Sequence, residues 1–359
     1  MHSSNAKALK IFDWNKGLLS ESRFRSFLEH YGSYALQLMF CNYGEPITNP
    51  NTPKLIQMAK SYFVQTALST NLAIRRFDAE AYVRSGLDFL FLSIDGATQS
   101  VYERYRKNGD IEVVYRNIQN LVKAKRTLQK RTPVIRWQFL AFEHNAHEIP
   151  LARAQAKALG VDQFTVEPPF DVSWDDPGVR PAAVPPMNVE LDSGTEDKLS
   201  KNWDVQLDEI AAQTIEREFE TSWAAKLAEQ YPARADQPKV RSEHTCHWLY
   251  KNMVMDANGR IIPCCAAPRP DAELVFSTFS GERREDCFNS ELYQTARLYF
   301  ADKGAYYAER EPGSPAPFCV DCDWDQLATD IGGDQIAQCL RTFGKGIIDA
   351  RTIEMLSAW

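Results

Sequence analysis

The chain has 359 residues and a formal net charge of −7 at pH 7, with 44% hydrophobic and 25% charged residues. This composition is ordinary for a globular protein with room for two domains. The acidic balance argues against nucleic-acid or anionic-membrane binding, because both select basic surfaces. No apolar run reaches the roughly 18 residues of a membrane-spanning helix, and the start lacks the apolar core of a signal peptide. We therefore expect a cytoplasmic protein whose thiols stay reduced.

Short apolar runs alternate with helical patterns through the first half of the chain. A first helix is predicted over Glu21–Tyr31, with Ser20 as its N-cap. Strands are predicted at 35–40, 64–69, 88–94, 135–142 and 163–167, and the helices between them at 52–62, 78–85, 112–128 and 146–159. Apolar runs without strict alternation, separated by helices, are typical of a parallel sheet built from βα units. Because the chain opens on a helix, we expect the first strand of such a repeat to be missing.

The rhythm ends after residue 167. Residues 168–204 are rich in proline and aspartate, which predicts a linker or an extended surface loop. A charged helix is predicted over 206–231 and a closing helical tail over 334–359. We therefore expect three regions, an α/β domain at 1–170, a linker with a charged helix at 171–240, and a small cysteine-rich domain with a helical tail at 241–359.

Polar residues follow several of the predicted strands. In βα proteins the active site lies at the carboxyl ends of the parallel strands, so these residues are expected to meet at one rim. The rim candidates are Gly44, Glu45, Pro46, Thr70, Asn71, Ser93, Asp95, Arg106 and Glu167. Each of these corners is also ordinary turn and cap chemistry. Together they predict a place where a carboxylate, hydroxyls and a guanidinium hold a small polar ligand.

The second half of the chain carries a distinctive cysteine pattern. The four candidate ligands are Cys246, Cys264, Cys319 and Cys322. A hairpin turn predicted at 256–259 would bring the first two together, and the last two form a Cys-x-x-Cys pair. With reduced thiols, such spacings favour a metal or iron–sulfur site over disulfides. Cys265 can replace Cys264, and four thiolates can equally hold zinc, so spacing alone leaves both choices open.

These features resemble the radical SAM superfamily, specifically the members with a C-terminal SPASM- or twitch-type auxiliary domain. The motifs that carry the resemblance are FCNYGEPITNP, LSTNL, LFLSIDGATQSVYERYRKNGDIEVVYRNI and CHWLY…DANGRIIPCC…CVDC. The resemblance implies an α/β fold, a partial (βα)6 TIM-like barrel here missing its first strand, joined to a small cysteine-rich iron–sulfur domain. It implies S-adenosylmethionine as cofactor, together with a 4Fe–4S cluster that supports radical chemistry.

The resemblance also implies roles for the rim residues. Gly44–Pro46 match the element that receives the methionine ammonium group, a partner that suits the Glu45 carboxylate. Ser93 and Arg106 match positions that bind the methionine carboxylate, which arginine can grip with two hydrogen bonds. Glu167 corresponds to contacts near the adenosine. The weaker candidates on the same rim are Thr70, Asn71 and Asp95.

The family's Cys-x3-Cys-x2-Cys motif, which holds the catalytic cluster, is not found in this sequence. Cys41 is the only cysteine before Cys246, and we expect it to be a half-buried structural thiol. One interpretation is an N-terminally incomplete enzyme that is inactive as written. The alternative is a non-catalytic iron–sulfur or zinc module that kept the fold.

The expected partners follow from the same resemblance. They are a small-molecule or peptide substrate and an electron-donor protein, with no nucleic acid and no membrane. The four candidate cysteines are expected to hold one auxiliary 4Fe–4S cluster.

Overall fold

The computed structural model describes residues 17–41, 44–169, 178–191, 246, 248–264, 275–301, 306–307 and 317–321. The chain divides into two compact units, one of Met1–Thr195 with Met253–Ser290 and the other of Glu196–Asn252 with Glu291–Trp359. The helices predicted at 206–231 and 334–359 lie outside the described residues. The predicted division into three regions therefore stays a prediction. None of the described helices is long and apolar enough to cross a membrane.

A six-stranded sheet forms the centre of the first unit. Its strands, in spatial order, are β1 (Gln37–Phe40), β2 (Gln65–Thr70), β3 (Phe89–Ser93), β4 (Val134–Leu140), β5 (Gln163–Glu167) and β6 (Met187–Glu190). Neighbours from β1 to β5 pair in parallel, and β6 is antiparallel to β5. The predicted mixed α/β architecture with a parallel sheet is confirmed. The barrel, its missing first strand and the iron–sulfur domain stay predictions.

One helix precedes the first strand, and the others lie between the strands. They are α1 (Glu21–Tyr31), α2 (Thr52–Lys60), α3 (Ala79–Arg84), α4 (Gln99–Tyr105), α5 (Ile111–Thr127) and α6 (Ile149–Leu159). Several of these helices begin at a residue whose side chain caps the first turn. The Ser20 hydroxyl accepts a hydrogen bond from the Arg23 amide, and the Asp110 carboxylate accepts from the Glu112 and Val113 amides.

One strand lies where the sequence predicts none. Strand β6 falls within 168–204, and the linker prediction is wrong at Met187–Glu190. Its apolar side chains, Met187 and Val189, pack against the core, while Asn188 and Glu190 are exposed. This period of two suits an edge strand with one buried face, and it outweighs the surrounding prolines.

The core lies on one face of the sheet, between the strands and the helices. Alternation in β3 and β4 sends Leu92, Trp137 and Phe139 to this face, and each is fully buried. Helix α5 adds Val114 and Ile118 from its apolar stripe, and neither is exposed. The opposite face of the sheet, which we call the polar face, carries polar side chains such as Arg136 and Gln163 beside the aromatic rings of Phe89 and Phe91. Most of its side chains are half-buried, but Thr165 is buried.

A small antiparallel sheet completes the first unit. It contains β7 (Val254–Met255), β8 (Arg260–Ile262) and β9 (Ser277–Thr278), followed by α8 (Arg284–Phe288). The predicted hairpin turn at 256–259 is confirmed, since the Gly259 amide donates to the Asp256 carbonyl at 3.1 Å. The Phe279 ring meets Phe27 and Tyr31 of α1 edge-on, which joins this sheet to the larger one.

Gly259 is required by this turn, and its replacement should weaken the fold. Its φ of +89° is unfavourable for other residues, and a Cβ there would lie 2.3 Å from the Phe279 carbonyl oxygen. We expect Gly259→Ala to lower the free energy of unfolding by about 2 kcal/mol or more in a urea titration. Gly281→Ala is the matched control, because Gly281 also has positive φ but open space around its Cβ. Equal losses in the two variants would contradict a steric role for Gly259.

The described part of the second unit is small. It contains α7 (Trp248–Lys251), α9 (Glu291–Ala301) and a short 3-10 turn at Phe318–Asp321. Helix α9 holds both of the other segments. The Arg297 guanidinium donates to the Leu249 carbonyl at 2.9 Å, and the Tyr299 hydroxyl donates to the Val320 carbonyl at 3.2 Å.

Candidate functional site

Glu45 is placed at the carboxyl end of the sheet by two turns. Its Oε1 accepts a hydrogen bond from the Ile47 amide at 3.3 Å and so caps a 3-10 turn at Pro46–Thr48. Its Oε2 accepts from the Asn71 amide at 2.9 Å, just past the end of β2. The Thr70 hydroxyl also hydrogen-bonds to the carboxylate. The residues predicted after β1 and after β2 therefore do meet at one rim.

The buried surroundings of Glu45 disfavour the ionised form of its carboxyl group. Burial raises the pKa of Glu45 above its usual value, although the hydrogen bonds from Thr70, Asn71 and Ile47 lower it in part. The positive charge of Arg106 lowers this pKa further, which means that the two side chains act on each other across the rim. A cation placed against Glu45 would relieve the cost of burying its charge.

Asp95 and Arg106 form the second part of the rim. The Arg106 Nε lies 2.6 Å from the Asp95 Oδ2, and the Leu140 amide donates to the Asp95 Oδ1 at 2.8 Å. Asp95 is completely buried, and the Arg106 side chain is 15% exposed. Burial raises the pKa of Asp95, and the positive charge of Arg106 opposes this rise. Burial alone would lower the pKa of Arg106, but the Asp95 carboxylate outweighs it, so the pKa of the guanidinium is raised. Asp95 is thus a partner of Arg106, a role that the motif alone did not predict.

The loop between Asp95 and α4 is fixed by a residue that the sequence did not single out. The Glu148 carboxylate accepts from the amides of Ala97 and Thr98 and from the Thr98 hydroxyl, at 2.6, 3.2 and 2.6 Å. Glu148 is 5% exposed and lies about fifty residues further along the chain. Gly96 is needed here because a Cβ would approach the Tyr102 backbone to 2.7 Å. Only the Asp-Gly corner signalled this loop in the sequence.

Ser93 and Glu167 lie on the polar face of the sheet, at the ends of β3 and β5. The Ser93 hydroxyl is 3.5 Å from that of Ser69, and the Glu167 Oε2 accepts from the Gln138 Nε2 at 2.6 Å. Gly44 is exposed, with a φ of +117° and open space around its Cβ position. These residues lie at the same end of the sheet as Glu45 and can approach a ligand there.

The cysteines are distributed over both units. Cys264 is buried just after β8 in the first unit. Cys246 is half-buried before α7, and Cys319 is buried in the 3-10 turn, both in the second unit. Both of these segments pack on α9, as described above. Cys265 and Cys322 lie outside the described residues.

The metal site stays a prediction. Among the residues that the structure describes, no group of three or more His, Cys, Asp or Glu side chains could hold a metal ion.

Cys41, at the end of β1, is exposed, so the expectation of a half-buried thiol was wrong. Strand β1 lies at the edge of the described sheet, which leaves the residue after it open to solvent.

No model of a protein family matches this chain, and no curated protein matches it. Solved structures do match. Native anSMEcpe with bound AdoMet aligns at 10% identity and a TM-score of 0.46, over 92% of this chain and 92% of that chain. Streptococcus suis SuiB bound to S-adenosylmethionine aligns at 12% identity and a TM-score of 0.43, over 85% of this chain and 64% of that chain. TYW1 with a lysine-pyruvate adduct aligns at 14% identity and a TM-score of 0.31, over 40% of this chain and 45% of that chain.

Two of these structural neighbours, anSMEcpe and SuiB, were solved with S-adenosylmethionine bound. This chain covers about half of the matched TYW1 chain and 61% of a further SuiB chain.

Proposed function

We propose that this chain binds S-adenosylmethionine at the rim formed by Glu45, Thr70, Asn71, Ser93 and Arg106, as a radical SAM-type protein. The observation that carries the proposal is the Glu45 carboxylate, which is held by three hydrogen bonds and has a raised pKa. The motifs shared with the radical SAM superfamily supply the identity of the ligand. The geometry of the rim supports it at both ends of the methionine group.

The ammonium end fits Glu45. An ionised carboxylate has about four acceptor positions, and three donors occupy Glu45. One position therefore remains for an N–H of an ammonium group. Because burial penalises the ionised carboxylate, an ammonium partner gains more here than it would at an exposed glutamate.

The carboxylate end fits Arg106. The Nε of Arg106 makes the bond to Asp95, and the two terminal nitrogens of the guanidinium are not used in that bond. Asp95 therefore holds the guanidinium in place while its outer edge can receive a carboxylate. Ser93, at the end of the neighbouring strand, can add a hydroxyl donor.

S-adenosylmethionine with a reduced 4Fe–4S cluster supplies radical chemistry, namely hydrogen abstraction from a substrate. The residues described above would bind and orient the cofactor and keep water from it. The thiolates that hold a catalytic cluster in this superfamily have no counterpart in the sequence, so no catalytic step is assigned to this chain. The substrate, small molecule or peptide, and an electron-donor protein remain proposals.

Equilibrium dialysis with radiolabelled S-adenosylmethionine tests the binding proposal. We expect one saturable site per chain, competed by unlabelled ligand. Absence of saturable binding at millimolar ligand would contradict the proposal. It would favour the alternative, a non-catalytic metal module that kept the α/β fold.

The auxiliary cluster is the second part of the proposal, with Cys246, Cys264, Cys319 and Cys322 as ligands. Its support is the spacing of the cysteines, together with the attachment of the Cys246 and Cys319 segments to one helix, α9. Four thiolates are the usual ligand set of a 4Fe–4S cluster. Zinc bound by the same four thiolates is the alternative.

We expect the anaerobically purified chain to contain about four irons, and Cys319→Ser to contain less than half of that, because a lost thiolate destabilises the cluster. Metal analysis and the brown iron–sulfur absorption measure this. Cys287→Ser is the matched control, since Cys287 is 1% exposed but is not a proposed ligand. One zinc per chain would favour the zinc alternative. Unchanged iron in Cys319→Ser would refute the ligand assignment.

A further inference from the structure

One row of side chains on the polar face of the sheet consists entirely of uncharged hydrogen-bonding groups. Ser93, Gln138, Thr165 and Asn188 are partners in register across β3, β4, β5 and β6. Strands of a parallel sheet buried on both faces read as apolar runs. Ser93 and Gln138 are half-buried and Asn188 is exposed, so their polarity suits a partly open face, whereas Thr165 is buried. Thr165 is therefore the position in this row that needs a reason other than packing.

The adjacent row satisfies its own polar groups. The Arg136 Nε donates to the Gln163 Oε1 at 2.7 Å, and the Gln163 Nε2 donates to the Glu190 Oε1 at 2.6 Å. The Arg136 guanidinium also lies over the Phe91 ring, 5.1 Å from its centre. The Gln163 amide thus links the positive charge of Arg136 to the negative charge of Glu190.

The uncharged row contains a buried hydroxyl without a hydrogen-bond partner. Thr165 is 3% exposed, and its Oγ1 has no partner among the described residues. Phe164 and Val166, on either side of it, belong to the apolar core, so alternation sends Thr165 to the polar face. Its register neighbour Gln138 donates its amide N–H to the Glu167 carboxylate and makes no hydrogen bond to the Thr165 hydroxyl. Buried hydroxyls are nearly always paired, so the Thr165 hydroxyl offers an unused donor and acceptor to a ligand or a water.

We propose that this row is the substrate-recognition site and that it binds a neutral hydroxyl or amide group of the substrate through Thr165. The row offers donors and acceptors but no charge of its own, and the Glu167 carboxylate beside Gln138 opposes an anion. A group that both donates and accepts matches Thr165 and Asn188 together. The inference rests on the proposed function, because Ser93 belongs both to this row and to the S-adenosylmethionine rim, and it adds the chemical class of the substrate.

The first test compares two threonines. In Thr165→Val the unpaired hydroxyl is removed, so we expect a thermal midpoint equal to or above that of the parent chain. Thr66→Val is the matched control, because the Thr66 hydroxyl donates to the Asp88 Oδ2 at 3.0 Å and Thr66 is fully buried. We expect its midpoint to fall by several degrees. A comparable fall in Thr165→Val would show a structural role for the hydroxyl and overturn the proposal.

The second test uses small probes of defined chemistry. We expect saturation-transfer NMR to detect D-glucose, N-acetyl-L-alanine methylamide or both on the parent chain. The affinity for the bound probe should fall at least fivefold in Thr165→Val and be retained in Thr165→Ser. No signal from either neutral probe, or a signal unchanged in Thr165→Val, would overturn the proposal.

The same variants separate this inference from the proposed function. Thr165→Val should keep its affinity for S-adenosylmethionine within about twofold of the parent chain, because Thr165 is not part of the rim. If the parent chain bound no S-adenosylmethionine while the probe results held, the proposed function would fail and the polar row would remain a binding site.

Discussion

We expect Asp95→Asn to lower the free energy of unfolding by about 3–5 kcal/mol, the usual effect of breaking a buried ion pair by removing one partner. Asparagine keeps the shape of the side chain and can still accept from the Leu140 amide. It cannot neutralise Arg106, whose side chain is 15% exposed and lies 2.6 Å from the carboxylate. The variant therefore leaves a buried positive charge without its partner. Urea unfolding of the whole chain measures the loss.

Two further variants make this prediction specific. Glu80→Gln breaks the exposed Glu80–Arg84 pair of α3, in which both side chains are 59% exposed, and should change stability by less than about 1 kcal/mol. Adding Arg106→Met to Asp95→Asn should recover part of the loss, because the uncompensated charge is then gone. If Asp95→Asn were no more harmful than Glu80→Gln, the rim would not depend on this pair.

We expect Glu45→Gln to weaken S-adenosylmethionine binding by about 10- to 100-fold at pH 7. A hydrogen bond between charged partners contributes about 1.5–3 kcal/mol, and 1.4 kcal/mol corresponds to a tenfold change. Glutamine can still accept from the Asn71 amide, so the local turns have a replacement acceptor. Isothermal titration measures the affinity, with Glu80→Gln as the control of equal charge change. Equal affinities for the two variants would remove Glu45 from the site.

The pH dependence of binding gives a second readout for Glu45. Burial raises its pKa in the ligand-free chain, and the ammonium group binds the ionised form. Affinity should therefore fall as the pH drops through that raised pKa and stay level above it. It should fall again above about pH 7.7–8.0, where an α-amino group loses its proton. Glu45→Gln should lose the acidic fall and keep the alkaline one.

The positions of the main elements could be predicted because hydrophobic periodicity is local information. The helix predicted at 112–128 is observed at Ile111–Thr127, and the strand predicted at 135–142 is observed at Val134–Leu140. Strand β6 was missed because proline-rich surroundings obscure four alternating residues. Its place depends on the free edge of β5, which no local pattern reveals.

The candidate residues of the site were found from motifs, but their partnerships were not. Glu45 serves both as a turn cap and as a rim carboxylate, so both interpretations of the Gly-Glu-Pro motif describe it. Asp95 and Arg106 were selected separately, and their ion pair depends on the path of α4 between them. Glu148 reaches its loop across about fifty residues, which sequence spacing does not indicate. Long-range contacts of this kind follow from the fold and not from a motif.

The central claim is that the rim holds the methionine group of S-adenosylmethionine, and a crystal structure of the chain with this ligand tests it most directly. We predict the ammonium nitrogen about 2.7–2.9 Å from a Glu45 carboxylate oxygen, with the ligand carboxylate against Arg106. A ligand bound elsewhere, with Glu45 and Arg106 touching only the protein, would contradict the claim.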